Sequence, residues 1–193
     1  MKSYYMKIEK VTLKSIKKAI EILQSGGTVV YPTETAYGLG CDSTNQRASQ
    51  KIFKIKKRSK EKQMPVICAH KTMVAQFFKV NKIVQELALK YWPGPFTVVL
   101  NTKTDEVAVR VSSNNVARAL SRGLGKPIIS TSANISGEAP AYNIKEVIKS
   151  FARKKYRPDL ILDAGKLPKR SPSTIVKIND KKIIILREGE IKI

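Results

Sequence analysis

The sequence predicts an α/β protein built on a mixed sheet, and three observations predict it. Segments with apolar residues at helical spacing alternate with short apolar runs that end at Gly or Pro, the pattern of layered helix-and-sheet folds. The final part of the chain is different in character: Leu160 to Leu162, Ser173 to Ile178 and Lys182 to Leu186 all read as strands. Asn179-Asp180-Lys181 reads as a hairpin turn between the last two, which argues against a purely parallel sheet. Finally, 193 residues with 42% hydrophobic content suffice for one ordinary core and not for two full domains with linkers. Residues 1–193 are therefore read as a single domain.

The elements follow in order. Leu13, Ile16, Ala19, Ile20 and Leu23 share one helical face. Thr12 is the N-cap, and Gly26-Gly27 stop the helix near Ser25. Thr28 to Tyr31 reads as a short buried strand. Pro32 halts it and opens the loop Thr33 to Gly40, the first candidate for chemistry. A second amphipathic helix spans Gln46 to Lys56, burying Ala48, Ile52, Phe53 and Ile55, and leads to a strand around Met64 to Ala69. A helix near Ile83 to Tyr91, the turn Trp92-Pro93-Gly94-Pro95 and strands at Phe96 to Leu100 and Val107 to Val111 come next. The helix from Asn114 to Ser121 should stop at Gly123 and Gly125. The strand Pro127 to Ser130 then delivers Thr131-Ser132-Ala133-Asn134-Ile135-Ser136-Gly137. Asn143 with Glu146 three residues later reads as a capping box for a further helix.

Composition limits the chemistry. Thirty-seven Lys and Arg against fifteen Asp and Glu give a net charge of +22, so the partners should be anionic. Either the surface holds nucleic acid, or scattered solvated lysines such as Lys14, Lys17 and Lys18 surround a cationic cleft for a nucleotide. No apolar run approaches the roughly 18 residues of a membrane span, and Met1 to Lys10 alternates charged with apolar residues instead of forming a signal-peptide core. A cytoplasmic protein with no membrane partner is expected. Cys41 and Cys68 lack CxxC spacing and read as plain reduced thiols. His70 is the only histidine, which removes mechanisms that need a histidine pair or a multi-histidine metal site. No GxSxG elbow is present.

Neither GxxxxGK[ST] nor GxGxxG occurs, so a nucleotide would have to be held by side-chain cations and hydroxyls. Lys56-Lys57-Arg58 follows the second helix, and Lys62 adds a cation. Residues i and i+2 point about 200° apart on a helix, so Lys56 and Arg58 can converge only where the backbone is not helical. Taken alone, the run reads first as a solvated charge cluster at a helix C-terminus. Ser130-Thr131-Ser132-Ala133-Asn134 stands just past a strand, where ligand crevices of open α/β sheets lie, yet it can equally be a hydroxyl turn bonded to its own backbone. Thr33-Glu34-Thr35 and Ser173-Thr174 have the same two readings. Arg110 and Arg187 lie within or just after apolar strands, and an arginine on a sheet face calls for an anionic partner.

The order of these pieces resembles the YrdC family of threonylcarbamoyl-AMP synthases, also called TsaC. The matching residues are Tyr31 to Gly40, the KxR motif Lys56 to Arg58, Trp92-Pro93-Gly94-Pro95, Ala108 to Val111, the SxN motif Ser132 to Asn134 with Ser136-Gly137, Ser173 to Val176, and Leu186-Arg187 with Gly189. The resemblance covers nearly the whole chain and is similar to the family's short, single-domain form. Ser59 stands where the family commonly has proline, and no histidine occurs near Ile67, where some longer relatives use one to help hold threonine.

The resemblance implies an open, twisted mixed sheet flanked by helices, with a basic concave cleft. It implies a reaction of L-threonine, bicarbonate and ATP, with magnesium on the triphosphate, to give threonylcarbamoyl-AMP and pyrophosphate for a tRNA modification completed by a downstream transferase complex. By carry-over, Lys56, Arg58, Ser132 and Asn134 are catalytic. Arg58, Lys62, Ser132, Asn134 and Arg187 hold ATP, and Thr35, Arg110, Ser130 and Ser173 hold threonine. No protein metal ligand is assigned. The alternative of another class is a non-catalytic module of the same fold that holds tRNA or double-stranded RNA.

Overall fold

The computed structural model describes residues 6–58, 64–102, 105–152, 154–179 and 182–193. In chain order the elements are β1 (Ile8–Lys10), α1 (Leu13–Gln24), β2 (Val29–Pro32), β3 (Tyr37–Gly40), α2 (Gln46–Lys56), β4 (Val66–Cys68), α3 (Lys71–Phe77), α4 (Lys82–Tyr91) and β5 (Phe96–Asn101). They continue with β6 (Glu106–Val111), α5 (Asn115–Leu124), β7 (Ile128–Ile129), β8 (Thr131–Ser132), α6 (Ile144–Phe151), β9 (Leu160–Asp163), β10 (Thr174–Asn179) and β11 (Lys182–Arg187).

The mixed α/β class holds, with the strands divided between two sheets. One has the order β1-β9-β2-β3-β8 and the other β11-β10-β5-β6-β4-β7. Both are mixed: β2 runs antiparallel to β3 and parallel to β9, while β5 runs antiparallel to β6 and parallel to β10. β10 and β11 form the antiparallel pair expected at the C-terminal end. One core cluster joins Val30, Leu39 and Ile161 of the first sheet to Val98, Val109 and Val176 of the second. Another, with Ala19, Leu23, Ala117 and Leu120, lies under α1 and α5.

Helix starts follow local chemistry. The Thr12 hydroxyl accepts the Ser15 N–H at 3.1 Å while the Ser15 hydroxyl accepts the Thr12 N–H at 2.9 Å, a reciprocal cap for α1. Asn45 and Asn114 cap α2 and α5. Asn143 caps α6, but the Glu146 carboxylate takes the N–H of Tyr142, one residue before the cap, at 2.6 Å.

Other expectations are corrected. Tyr37 to Gly40 is not loop but strand β3, hydrogen-bonded to β2 across a hairpin. Its glycines allow a close approach: a Cβ on Gly40 would stand 2.1 Å from the Ile129 carbonyl oxygen. Helix α5 passes through Gly123, where a Cβ would meet Ile20 of α1 at 2.3 Å, and ends at Gly125 in the left-handed region (φ 72°). Gly123 therefore serves helix packing and not termination. The short α3 was not expected; His70 Nδ1 caps it by accepting the Met73 N–H at 3.1 Å. Among the described residues no helix is long and apolar enough to cross a membrane.

Candidate active site

The two sheets bring loops from distant parts of the chain around one cavity of about 530 Å³, within the usual range of ligand pockets. The β2–β3 hairpin supplies Thr33 and Thr35, the residue after the α2 C-cap supplies Arg58, and β5 and β6 supply Thr97 and Arg110. Ser130, Thr131 and Ser132 enter from the β7–β8 crossing, Arg170 and Ser173 from the segment after β9, and Arg187 from the end of β11. Four arginines thus face one space, and among the described residues no carboxylate lines it. Hydroxyls fill most of the remaining polar positions. Such a lining suits an anion with several oxygen atoms.

Two of the arginines are held in place. Arg110 Nη1 lies 3.2 Å from Glu34 Oε1, and both side chains are nearly buried. The other Glu34 oxygen accepts the Ser112 hydroxyl. The anionic partner that Arg110 demands is therefore partly internal, and this pairing leaves the remaining donors of the fork for a ligand. Arg187 donates from Nε and Nη2 to the Ser173 carbonyl oxygen at 3.0 and 2.7 Å, and from Nη2 to the Ser173 hydroxyl at 3.0 Å. The same hydroxyl shares a proton with Thr97 Oγ1 at 2.8 Å. Burial, and then the charge of Arg110, pull the Arg187 guanidinium below the usual arginine range. Two cations held against their mutual repulsion lower the cost of admitting an anion between them. Gly189 makes this corner possible: a Cβ there would lie 2.1 Å from the Pro172 carbonyl oxygen.

The KxR motif divides its labour. Lys57 adopts φ 52° and ψ 40° as the α2 C-cap, which breaks the helix between the two cations. Lys56 turns inward and Arg58 turns to the cavity. The buried Lys56 ammonium donates to the Ser132 carbonyl oxygen at 2.6 Å, the Asn134 carbonyl oxygen at 2.8 Å and Asn134 Oδ1 at 3.1 Å. Its three donors are fully used. Burial, followed by the charge of Arg58, brings its pKa down to about 8. The Asn134 amide nitrogen donates in turn to the Glu138 carbonyl oxygen.

Neither Lys56 nor Asn134 is among the residues that line the cavity; both brace the loop that presents Ser132. Thr35, Arg58, Arg110, Ser130, Ser132, Ser173 and Arg187 are brought together as expected. Lys62 lies outside the described residues. Sequence reasoning missed Arg170, Thr97 and Tyr142, which also line the space. The only signal for Arg170 is its place three residues before Ser173. Cys41 and Cys68 are free and buried, and burial raises both thiols to about 12, as suits unreactive core residues. Among the described residues no group of three or more His, Cys, Asp or Glu could hold a metal ion.

A model of the Sua5/YciO/YrdC family, described as telomere recombination, matches residues 21–189. The whole chain aligns, at 32% identity, with 96% of a Methanocaldococcus jannaschii protein that carries the provisional name threonylcarbamoyl-AMP synthase. Sua5 from P. abyssi superposes with a TM-score of 0.86 as a double-substituted variant (27% identity, 96% of this chain and 60% of that one). Its complex with L-threonine gives 0.83 (28% identity, 95% of this chain and 56% of that one). The chain thus spans less than two thirds of the length of Sua5. E. coli YciO superposes with a TM-score of 0.80 at 27% identity, over 98% of this chain and 96% of that one.

Proposed function

The chain belongs to the Sua5/YciO/YrdC family, and we propose that within it this protein is an L-threonylcarbamoyladenylate synthase. It would combine L-threonine, bicarbonate and ATP into threonylcarbamoyl-AMP and pyrophosphate, the activated intermediate for N6-threonylcarbamoyladenosine in tRNA. One observation carries the reading: a single cavity gathers Arg58, Arg110, Arg170 and Arg187 with a set of hydroxyls and, among the described residues, no lining carboxylate. That arrangement can accept a carboxylate and a chain of phosphates side by side. The threonine bound to P. abyssi Sua5 supports threonine as one substrate.

In this reading the neutral amine of threonine attacks bicarbonate to give the carbamate and water. A carbamate oxygen then attacks the α-phosphorus, forming the new P–O bond as the bond to pyrophosphate breaks. No step demands a histidine base; positioning and stabilisation of charge on phosphate oxygens dominate. The threonine carboxylate sits against the forks of Arg110 and Arg187, with Thr35, Ser130 and Ser173 available to its amine and hydroxyl. Arg58 and Ser132 take phosphate oxygens, and Lys56 and Asn134 hold Ser132 in place. Arg187 would also close over the nucleotide. Magnesium would neutralise part of the triphosphate charge. With no carboxylate among the described lining residues, it would arrive bound to phosphate oxygens and water.

The test is product identity. Incubation of the protein with ATP, threonine and isotope-labelled bicarbonate should give labelled threonylcarbamoyl-AMP by mass spectrometry. AMP without an incorporated carbamoyl group would contradict the assignment.

A further inference from the structure

The segment between β9 and β10 has no regular structure but is fastened at both ends. At its start the Tyr37 hydroxyl accepts the Ala164 N–H at 2.9 Å and donates to the Gly165 carbonyl oxygen at 2.8 Å. The Leu167 N–H donates to the Tyr142 carbonyl oxygen at 2.7 Å, and at the far end the Pro172 carbonyl oxygen accepts the Glu190 N–H at 2.9 Å. Between these ties Pro168 and Pro172 restrict the backbone. Arg170 lies in this span and lines the cavity. Among the described residues its guanidinium has neither an ion pair nor a hydrogen bond, and Arg58 shares that state.

Charge then assigns the four arginines. At the Ser173 end, Arg110 and Arg187 face the ligand and Glu34 offsets one of them. The net single positive charge there matches one carboxylate. A third guanidinium would add repulsion at Arg187, which burial and then the charge of Arg110 already hold below the usual arginine range. A nucleoside triphosphate retains more than one negative charge even with magnesium bound, which Arg58, with an Arg187 shared with the carboxylate, does not balance. The last tie before Arg170 in the chain is to Tyr142, on the stretch that continues from Ser132 and Asn134 and so belongs to the nucleotide side.

We propose that Arg170 is a binding residue for the β- and γ-phosphates of the triphosphate, the part that leaves as pyrophosphate, and that the tied segment 164–173 exists to present it. This rests on the synthase reading. Arg170 makes no contact at the α-phosphate, so it distinguishes ATP from AMP, whereas Arg58 serves both.

The experiment is calorimetric binding of ATP, AMP and threonine, with magnesium, to the wild type and to Arg170→Ala and Arg170→Lys. The residue is exposed on an irregular segment, so the variants should fold, and circular dichroism checks this. Arg170→Ala should weaken ATP by about ten- to a hundred-fold, as loss of a charge-assisted contact does. AMP and threonine should stay within about two-fold, and Arg170→Lys should recover part of the loss. Equal weakening of ATP and AMP, or no weakening of either, overturns the assignment while leaving the synthase reading intact. A wild type that binds ATP no more tightly than AMP overturns the assignment directly. A wild type that makes no threonylcarbamoyl-AMP removes the synthase reading by a separate measurement.

Discussion

The two ends of the cavity are built on opposite principles. At the Ser173 end every cation is already held: Arg110 by Glu34, and Arg187 by the carbonyl and hydroxyl of Ser173. The end we assign to the phosphates is different: Arg58 follows a left-handed residue and Arg170 rides on an irregular segment, neither with a hydrogen bond among the described residues. A pre-organised fork loses little entropy on binding and fixes the orientation of a small, rigid anion. Unpaired guanidiniums suit a flexible polyphosphate whose charge is redistributed during reaction. The difference teaches that fixed and adaptable charge can share one pocket when internal partners are supplied at one end only.

The largest effect should come from breaking the adaptable end. Arg58→Ala should lose about 2 to 4 kcal/mol of transition-state stabilisation, roughly thirty- to a thousand-fold in kcat/KM, with the melting temperature almost unchanged. Near-normal turnover in the folded variant would remove phosphate binding from this loop.

Breaking the fixed end should look different. Arg110→Ala strands Glu34 as a buried unpaired carboxylate, so stability should fall by about 3 kcal/mol, together with a rise in the KM for threonine of about ten-fold or more. The ATP requirement should move far less. Pairing it with Glu34→Gln should restore much of the stability and none of the threonine affinity. Parallel recovery of both would make the ion pair a structural feature with no part in recognition.

Part of this contrast was legible in the sequence. Helix starts were, because Thr12 and Asn143 act on backbone groups three residues away. Seven cavity residues were too, because they lie in motifs. What escaped depends on distant partners. Strand β3 needs β2 and β8 to count as a strand. Lys56 reads as one more cation of its run, and only the fold shows its donors used by acceptors 76 and 78 residues on. Arg110 called for an anion, and only the fold shows that Glu34, on another loop, is part of it. Arg170 has no motif of its own.

A smaller effect concerns Lys56, which joins the two ends through the Ser132 loop. Its folded pKa of about 8 lies below the 10.5 of an ordinary lysine. Between those values the unfolded chain binds more protons, so this group makes the fold more stable as pH rises through that window. The deprotonated amine, however, has fewer donors for its three acceptors. Activity should therefore decline a few-fold above about pH 8, and Lys56→Arg, which stays charged, should shift that decline upward. An identical profile in both proteins would assign the inflection to another group.

The smallest expected effect is none. If the +22 charge is mainly solvated surface, excess tRNA should leave adenylate synthesis unchanged at about 150 mM salt, where the Debye length is about 8 Å. RNA affinity should drop by orders of magnitude between about 50 and 200 mM salt. Tight binding that survives this change would favour the non-catalytic RNA-holding alternative or a tRNA-coupled site.

The central claim, that the fixed end takes a carboxylate while the adaptable end takes phosphates in one reaction, is tested most directly by pyrophosphate release. The purified wild type is assayed with ATP, threonine and bicarbonate, and then with each omitted in turn. The account predicts release only with all three present. Release that continues without threonine, or absence of release from the complete mixture, would contradict it.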